Sequence, residues 1–210
     1  MFAAMAELML YGDIHWESPW VFHVAIALEE MQLPYRIEPL ALPITGNREQ
    51  FLERALLAKV LCLVHGDFWL TESNAISEYL HEAFPDAPRI VPADVRERAR
   101  ARQVMSWLRT SLMALREERP TSSVFIKPVS GALSDKAKRD ADELTRVTSQ
   151  LIGERKTVCS QWSAADIDLA LALMRLVANG DAMPQAVADY TRAQWARPSV
   201  RKFLANVPKQ

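Results

Sequence analysis

Two cysteines in 210 residues, Cys62 and Cys159, cannot build a disulfide framework, and neither sits in a spacing that would ligate zinc. A reducing, cytoplasmic setting is the simplest expectation. Charge of one sign is also missing. The chain has 25 Lys and Arg against 26 Asp and Glu, a net charge of −1. That balance offers no electrostatic basis for binding nucleic acid or an anionic membrane. No apolar run approaches the ~18 residues of a membrane-spanning helix. The segment from Met1 to Glu7 lacks a basic region and is broken by Glu7, so no secretory signal is expected. Internal repeats and low-complexity tracts are absent. What remains is an ordinary globular composition, 50% hydrophobic and 24% charged. Its length suits one large domain or two small ones, with ample chain to bury a core.

The first 85 residues alternate strand and helix signals. Residues 8–11 read as a strand, 19–32 as a helix, 35–40 as a second strand and 48–57 as a helix or helical turn. Two short apolar runs, 60–64 and 68–70, flank His65-Gly66-Asp67 and predict a hairpin. Thr71-Glu72-Ser73 then opens a helix that closes at Phe84-Pro85. One parallel crossover and one antiparallel hairpin imply a small mixed sheet. Pro85, Pro88 and Pro92 punctuate an irregular linker, 86–93.

From Asp94 onward no convincing strand signal occurs. Asp94 can cap a long helix that Pro120 stops, with Val95, Ala99, Met105, Leu108, Leu112 and Leu115 as its apolar stripe. A second helix is expected over about 134–151. A third starts at Ser163-Ala164-Ala165-Asp166, a capping-box spacing with Asp in the place of Glu. Trp162 and Ile167 flank that cap as a hydrophobic staple would. Leu169, Leu171, Leu173, Met174 and Leu176 make this helix apolar nearly all round, so it is expected to be the buried centre of an all-helical domain. Shorter helices follow near 184–195 and 198–205.

Chemistry can sit at two helix starts. Ser18-Pro19 suits an N-cap followed by a pre-organised N1 proline. The same geometry serves a thiolate, which would meet exposed N–H groups, a positive dipole end and a hydroxyl donor. Lowering a thiol pKa from ~8.5 by one to two units takes ~1.4–2.7 kcal/mol of differential interaction, which one charge-assisted hydrogen bond plus the dipole can supply. Tyr11 and His15 are nearby alternatives. Glu72-Ser73 is the second start. It can cap a helix with a solvated carboxylate, or hold the carboxylate and ammonium ends of an amino-acid-like ligand.

Residues 57–80, LAKVLCLVHGDFWLTESNAISEYL, resemble the glutathione-binding half of a glutathione S-transferase. Glu72-Ser73-Asn74-Ala75-Ile76-Ser77-Glu78-Tyr79-Leu80 fits that family's pattern, and Val60-Leu61-Cys62-Leu63 fits it except at Leu61, where the family has proline. The resemblance implies an α/β plus all-α architecture: a thioredoxin-like domain of βαβαββα order over 1–85 and a helical domain over 94–210. The capping box and Arg197-Pro198-Ser199-Val200 resemble the family's C-terminal domain. Ser18-Pro19, the run from Arg98 to Gln103 and Arg116-Glu117-Glu118-Arg119-Pro120 are similar to a bacterial Ser-Pro subgroup of the YfcF type.

By the same resemblance, Ser18 contacts the glutathione thiol and Val60 offers backbone groups to the cysteinyl part. Glu72 and Ser73 hold the γ-glutamyl end, and Lys59 pairs with the glycyl carboxylate. The window Ser18-Pro19-Trp20-Val21 holds no cysteine where redox relatives carry Cys-x-x-Cys, so the chain is expected to activate a bound thiol. Glutathione is then the co-substrate, no metal is needed, and the second substrate is a small hydrophobic electrophile or peroxide lodged against the first helix after the linker. A homodimer through the helices carrying Tyr79 and Met105 is implied, with Arg96, Arg98, Arg100 and Arg102 at that contact. A rival reading is a transferase-like binding or assembly module weakened at Leu61. There a trans Val60–Leu61 bond is expected, because a cis bond before a non-proline residue costs ~2.5–4 kcal/mol.

Overall fold

The computed structural model describes residues 7–44, 46 and 48–208. The segment read for a secretory signal lies largely outside them. The chain divides into two compact units, Met1–Pro88 and Arg89–Gln210.

Among its described residues the first unit is a four-stranded sheet with three helices. The strands are β1 (Leu8–Asp13), β2 (Tyr35–Leu40), β3 (Cys62–His65) and β4 (Phe68–Thr71), in spatial order β2-β1-β3-β4. β1 and β2 run parallel, joined through α1 (Pro19–Glu30), whereas β1–β3 and β3–β4 are antiparallel. The β3–β4 hairpin turns on Gly66 and Asp67, and Gly66 takes φ 64 at the first central position, a conformation that favours glycine. α2 (Arg48–Ala55) precedes β3, and α3 (Ser73–Ala83) follows β4.

Alternation along β1 separates two apolar layers. Met9 and Tyr11 join Phe51, Cys62, Val64 and Trp69 on the α2 side. Leu8, Leu10 and Gly12 are buried on the other side, where α1 packs on β1 and on α3. A Cβ at Gly12 would lie 3.0 Å from Val21 Cγ1 of α1, so the missing side chain is what lets the helix start this close to the strand.

The elements of the second unit's described residues are all helices: α4 (Val95–Thr110), α5 (Met113–Glu118), α6 (Ser122–Phe125), α7 (Asp135–Ile152), α8 (Ala164–Asn179), α9 (Gln185–Trp195) and α10 (Pro198–Leu204). α8 is buried nearly all round and packs on α4, α6, α7 and α9. Its start is fixed by Asp166, itself fully buried. The Asp166 carboxylate accepts from Ser163 N (2.9 Å), Val158 N (2.7 Å) and the Tyr190 hydroxyl (2.9 Å). Arg197 lies over the Trp162 ring at 4.4 Å.

One expectation fails here. The single long helix from Asp94 to Pro120 is two helices, because Ser111 is extended (ψ −177) and Leu112 takes the left-handed conformation (φ 60). No glycine or proline marks that break. It is made by tertiary contact: Asp140 of α7 accepts from Leu115 N (3.0 Å), one of the orphan donors at the start of α5. The apolar stripe also begins later than expected. Val95 is 74% exposed and Ala99 is exposed, while Ala101, Val104, Met105 and Leu108 are buried.

Candidate functional site

The strand register gathers three segments at one edge of the sheet. Tyr11 pairs with Cys62, and Cys62 pairs with Thr71. The chain leaving β1 toward Ser18, the chain entering β3 from Val60 and the chain leaving β4 toward Glu72 therefore share an edge.

Ser18 is the N-cap of α1, with φ −67 and ψ 119, and Pro19 is the first helical residue. The Ser18 Oγ accepts from Val21 N at 3.3 Å, which leaves its hydroxyl proton available to donate outward. The loop before it is tied to Asp13, a residue the sequence reading did not single out. Asp13 is 7% exposed, and its carboxylate accepts from Glu17 N (2.8 Å) and Ser18 N (3.1 Å). An Asp ahead of a short polar loop is a local turn signal that could have flagged it.

Of the two alternatives to Ser18, Tyr11 faces the other layer and His15 lies on the loop that leads to Ser18. Tyr11 points into the α2 layer, its ring 5.1 Å from Phe51 and 5.5 Å from Trp69. Burial, followed by the charges of Glu38 and Cys62, raises its phenol above the usual range. His15 is exposed on the loop.

At the β3 entry, Val60–Leu61 is cis, which corrects the trans expectation. Leu61 is 4% exposed, so the side chain that stands in place of proline is accommodated inside the unit. β3 starts at Cys62, not at Val60. Val60 is half-buried and packs against the α2 layer, while Lys59 is exposed.

At the β4 exit, Glu72 takes the cap position of α3 with φ 71 and ψ 111, and Ser73 is the first helical residue. Glu72 is exposed and Ser73 is 5% exposed. The hydroxyl expected to cap this helix is thus inside its first turn. One turn further along each helix, His23 Nε2 and Ser77 Oγ meet at 2.7 Å, both fully buried, and fasten α1 to α3. That pair was also missed, since a lone His in an apolar helix has no local signature.

Cys62 is fully buried in the α2 layer, and burial pushes its thiol up to about 12. Burial, then the charges of Glu97 and Asp166, pushes Cys159 up to about 11. The Cys62 thiol should therefore react with a disulfide reagent at pH 8 no faster than unfolding of the first unit exposes it, and fast native-state labelling there would contradict this burial. The Cys62 thiol is neutral in both folded and unfolded chains below the ordinary thiol value of 9.0, and its contribution to stability is lost as pH climbs toward 12. Among the described residues no cluster of His, Cys, Asp and Glu could hold a metal ion, and no helix is long and apolar enough to cross a membrane.

Family models bring the two halves together. Residues 17–83 match "Glutathione S-transferase, N-terminal domain", and residues 94–209 match "Glutathione S-transferase, C-terminal domain". The chain belongs to the glutathione S-transferase family. Among curated relatives, Glutathione S-transferase T1 of Arabidopsis thaliana is 34% identical over 162 residues, covering 73% of this chain and 64% of the relative. A probable maleylacetoacetate isomerase of Vibrio cholerae is 36% identical over 97 residues, 45% of this chain and 44% of the relative. The chain spans less than half the length of the first curated relatives it matches. Solved structures extend further. A glutathione transferase homolog from Burkholderia, with bound glutathione, is 32% identical over 95% of this chain and 96% of its own, with a TM-score of 0.75. Rice GST1 in complex with glutathione, 22% identical with a TM-score of 0.76, shares the fold.

The Arg116–Pro120 run of this transferase-family chain is built into the helical unit. Arg119, 3% exposed, donates to both carboxylate oxygens of Asp181 (2.7 and 2.9 Å) and to Gly131 O (2.8 Å). Arg98 donates to Pro92 O and Ala93 O. Arg96 and Arg100 border a groove of about 550 Å³ between α4 and α7.

Proposed function

We propose that this chain is a glutathione transferase of the bacterial Ser-Pro, YfcF type, which activates the glutathione thiol for attack on an electrophile or an organic hydroperoxide. The observation that carries the reading is the Ser18 hydroxyl at the N-terminus of α1, accepting from Val21 N and free to donate, in a window without a cysteine. Glutathione loses its thiol proton to solvent, and the Ser18 O–H and the dipole of α1 stabilise the sulfur anion left behind. The sulfur lone pair then forms the new bond to the electrophilic carbon or peroxide oxygen, and the leaving group takes the electron pair. No metal enters these steps.

In this reading residues 1–85 bind glutathione, 86–93 link, and 94–210 form the helical domain. Val60 presents its backbone to the cysteinyl part, Glu72 and Ser73 take the γ-glutamyl ammonium and carboxylate, and Lys59 takes the glycyl carboxylate. Two buried cysteines, neither in a disulfide, support a reducing cytoplasm. Assembly is as a homodimer through α3 and α4. Phe68, 44% exposed and 5.1 Å from the Tyr79 ring, supports a partner on that face. Light scattering that finds a single-chain mass at micromolar concentration removes the dimer.

Calorimetric titration with glutathione, followed by rates on a panel of electrophiles and organic hydroperoxides, tests the function. Absence of binding heat overturns it and favours the rival reading, a binding or assembly module. Glu72→Ala is expected to raise the glutathione KM with kcat nearly unchanged, and to narrow the preference over a des-amino analogue. Equal affinity of the unmodified protein for both compounds removes Glu72 from the site.

A further inference from the structure

The connection from β1 to α1 is tied to one residue, besides a bond from Ile14 N to Leu40 O at 3.0 Å. Asp13 ends the strand, and three hydrogen bonds return to it within five residues: Trp16 N to its backbone carbonyl (3.1 Å), Glu17 N to Oδ2 (2.8 Å) and Ser18 N to Oδ1 (3.1 Å). Trp16 turns the chain with φ 58, and Gly12, just before Asp13, lets Val21 of α1 approach the strand. The Ser18 backbone nitrogen is thereby fixed from below, while its Oγ is fixed from above by Val21 N. With both ends held, the remaining freedom of Ser18 is the direction of its hydroxyl proton.

We propose that Asp13 is a positioning residue that aims the Ser18 hydroxyl at the bound thiol. This rests on the reading of Ser18 as the thiol contact. The two carboxylate oxygens each serve one N–H, a task asparagine cannot repeat, because its amide NH₂ would face an N–H in place of one oxygen. Electrostatics makes the role separable. A carboxylate that merely stood near the sulfur would disfavour the thiolate, so removing it would lower the thiol pKa. Positioning demands the opposite: without Asp13 the hydroxyl loses its aim and the thiol pKa rises.

The test compares Asp13→Ala, Asp13→Asn, Ser18→Ala and the double variant Asp13→Ala/Ser18→Ala in the full chain. Readouts are kcat, the glutathione KM, and the pKa of bound glutathione from ultraviolet absorbance of the thiolate. Both Asp13 variants are expected to lower kcat about tenfold, to raise the thiol pKa by about one unit and to leave KM within about twofold. The double variant should be no slower than Ser18→Ala, because Asp13 acts only through Ser18. A thiol pKa that falls or stays constant in the Asp13 variants overturns the proposal, as do losses that multiply in the double variant. Melting curves confirm folding, and the near-isosteric Asp13→Asn carries the test if the alanine variant does not fold. Ser18→Ala at the unmodified rate is a different result: it removes Ser18 from the chemistry and this role with it.

Discussion

Ser18→Ala is expected to lower kcat at least tenfold while calorimetry finds glutathione affinity close to that of the unmodified chain. The factor corresponds to ~1.4 kcal/mol, a modest charge-assisted hydrogen bond to the sulfur anion. Affinity is spared because the contacts assigned to Val60, Glu72 and Ser73 are untouched. The same change removes the acceptor for Val21 N, so about 1 kcal/mol of helix capping should be lost as well, with Pro19 still holding the first turn. An unchanged rate would pass the role to His15 or to a backbone amide of α1, such as the Val21 N–H released by the substitution. Tyr11 could not inherit it without leaving its aromatic layer.

The largest effect on stability is expected at Asp166. Asp166→Ala removes one carboxylate that serves Ser163 N, Val158 N and the Tyr190 hydroxyl, all in the buried heart of the helical unit. Losing a helix cap costs about 1 kcal/mol, and each buried donor left without an acceptor about 1–3 kcal/mol. A total of at least about 3 kcal/mol follows, equivalent to a Tm lowered by roughly 6–12 °C in a chain of this size. Asp166→Asn keeps one acceptor and should fall between the two. Burial raises the Asp166 carboxyl above its usual range, against the hydrogen bonds that lower it, so the site already carries a desolvation cost. Urea melts of the three proteins decide it: a loss below about 1 kcal/mol in the alanine variant would mean that water replaces the carboxylate.

Local rules made much of this fold readable. The Gly-Asp hairpin and the Ser163-to-Asp166 cap each rest on a few neighbouring residues, the parallel crossover on a strand-helix-strand succession, and each appears where its signal lies. The α4–α5 break had no such signal, because a carboxylate on α7, 25 residues away, creates it. The candidate site divides the same way. Ser18 and Glu72-Ser73 stand at the helix starts expected of them, because helix starts are written in a few consecutive residues. Asp13 was missed because its acceptors face a loop without regular period, and His23 because its partner Ser77 is 54 positions distant. The Val60–Leu61 geometry was misjudged because a general cost per peptide bond was weighed without the burial of Leu61 that only the folded unit reveals.

The backbone of Glu72 carries a lesson for anyone engineering this chain. At φ 71 a residue with a Cβ is disfavoured by roughly 1–2 kcal/mol relative to glycine. A search for thermostable variants would therefore select Glu72→Gly early and count it a success, since the exposed carboxylate makes no hydrogen bond or ion pair among the described residues. If the carboxylate meets the glutathione ammonium as proposed, that selection trades recognition for heat resistance. Stability and ligand affinity should then move in opposite directions at this one position, and a screen scored on both would see the two rankings invert.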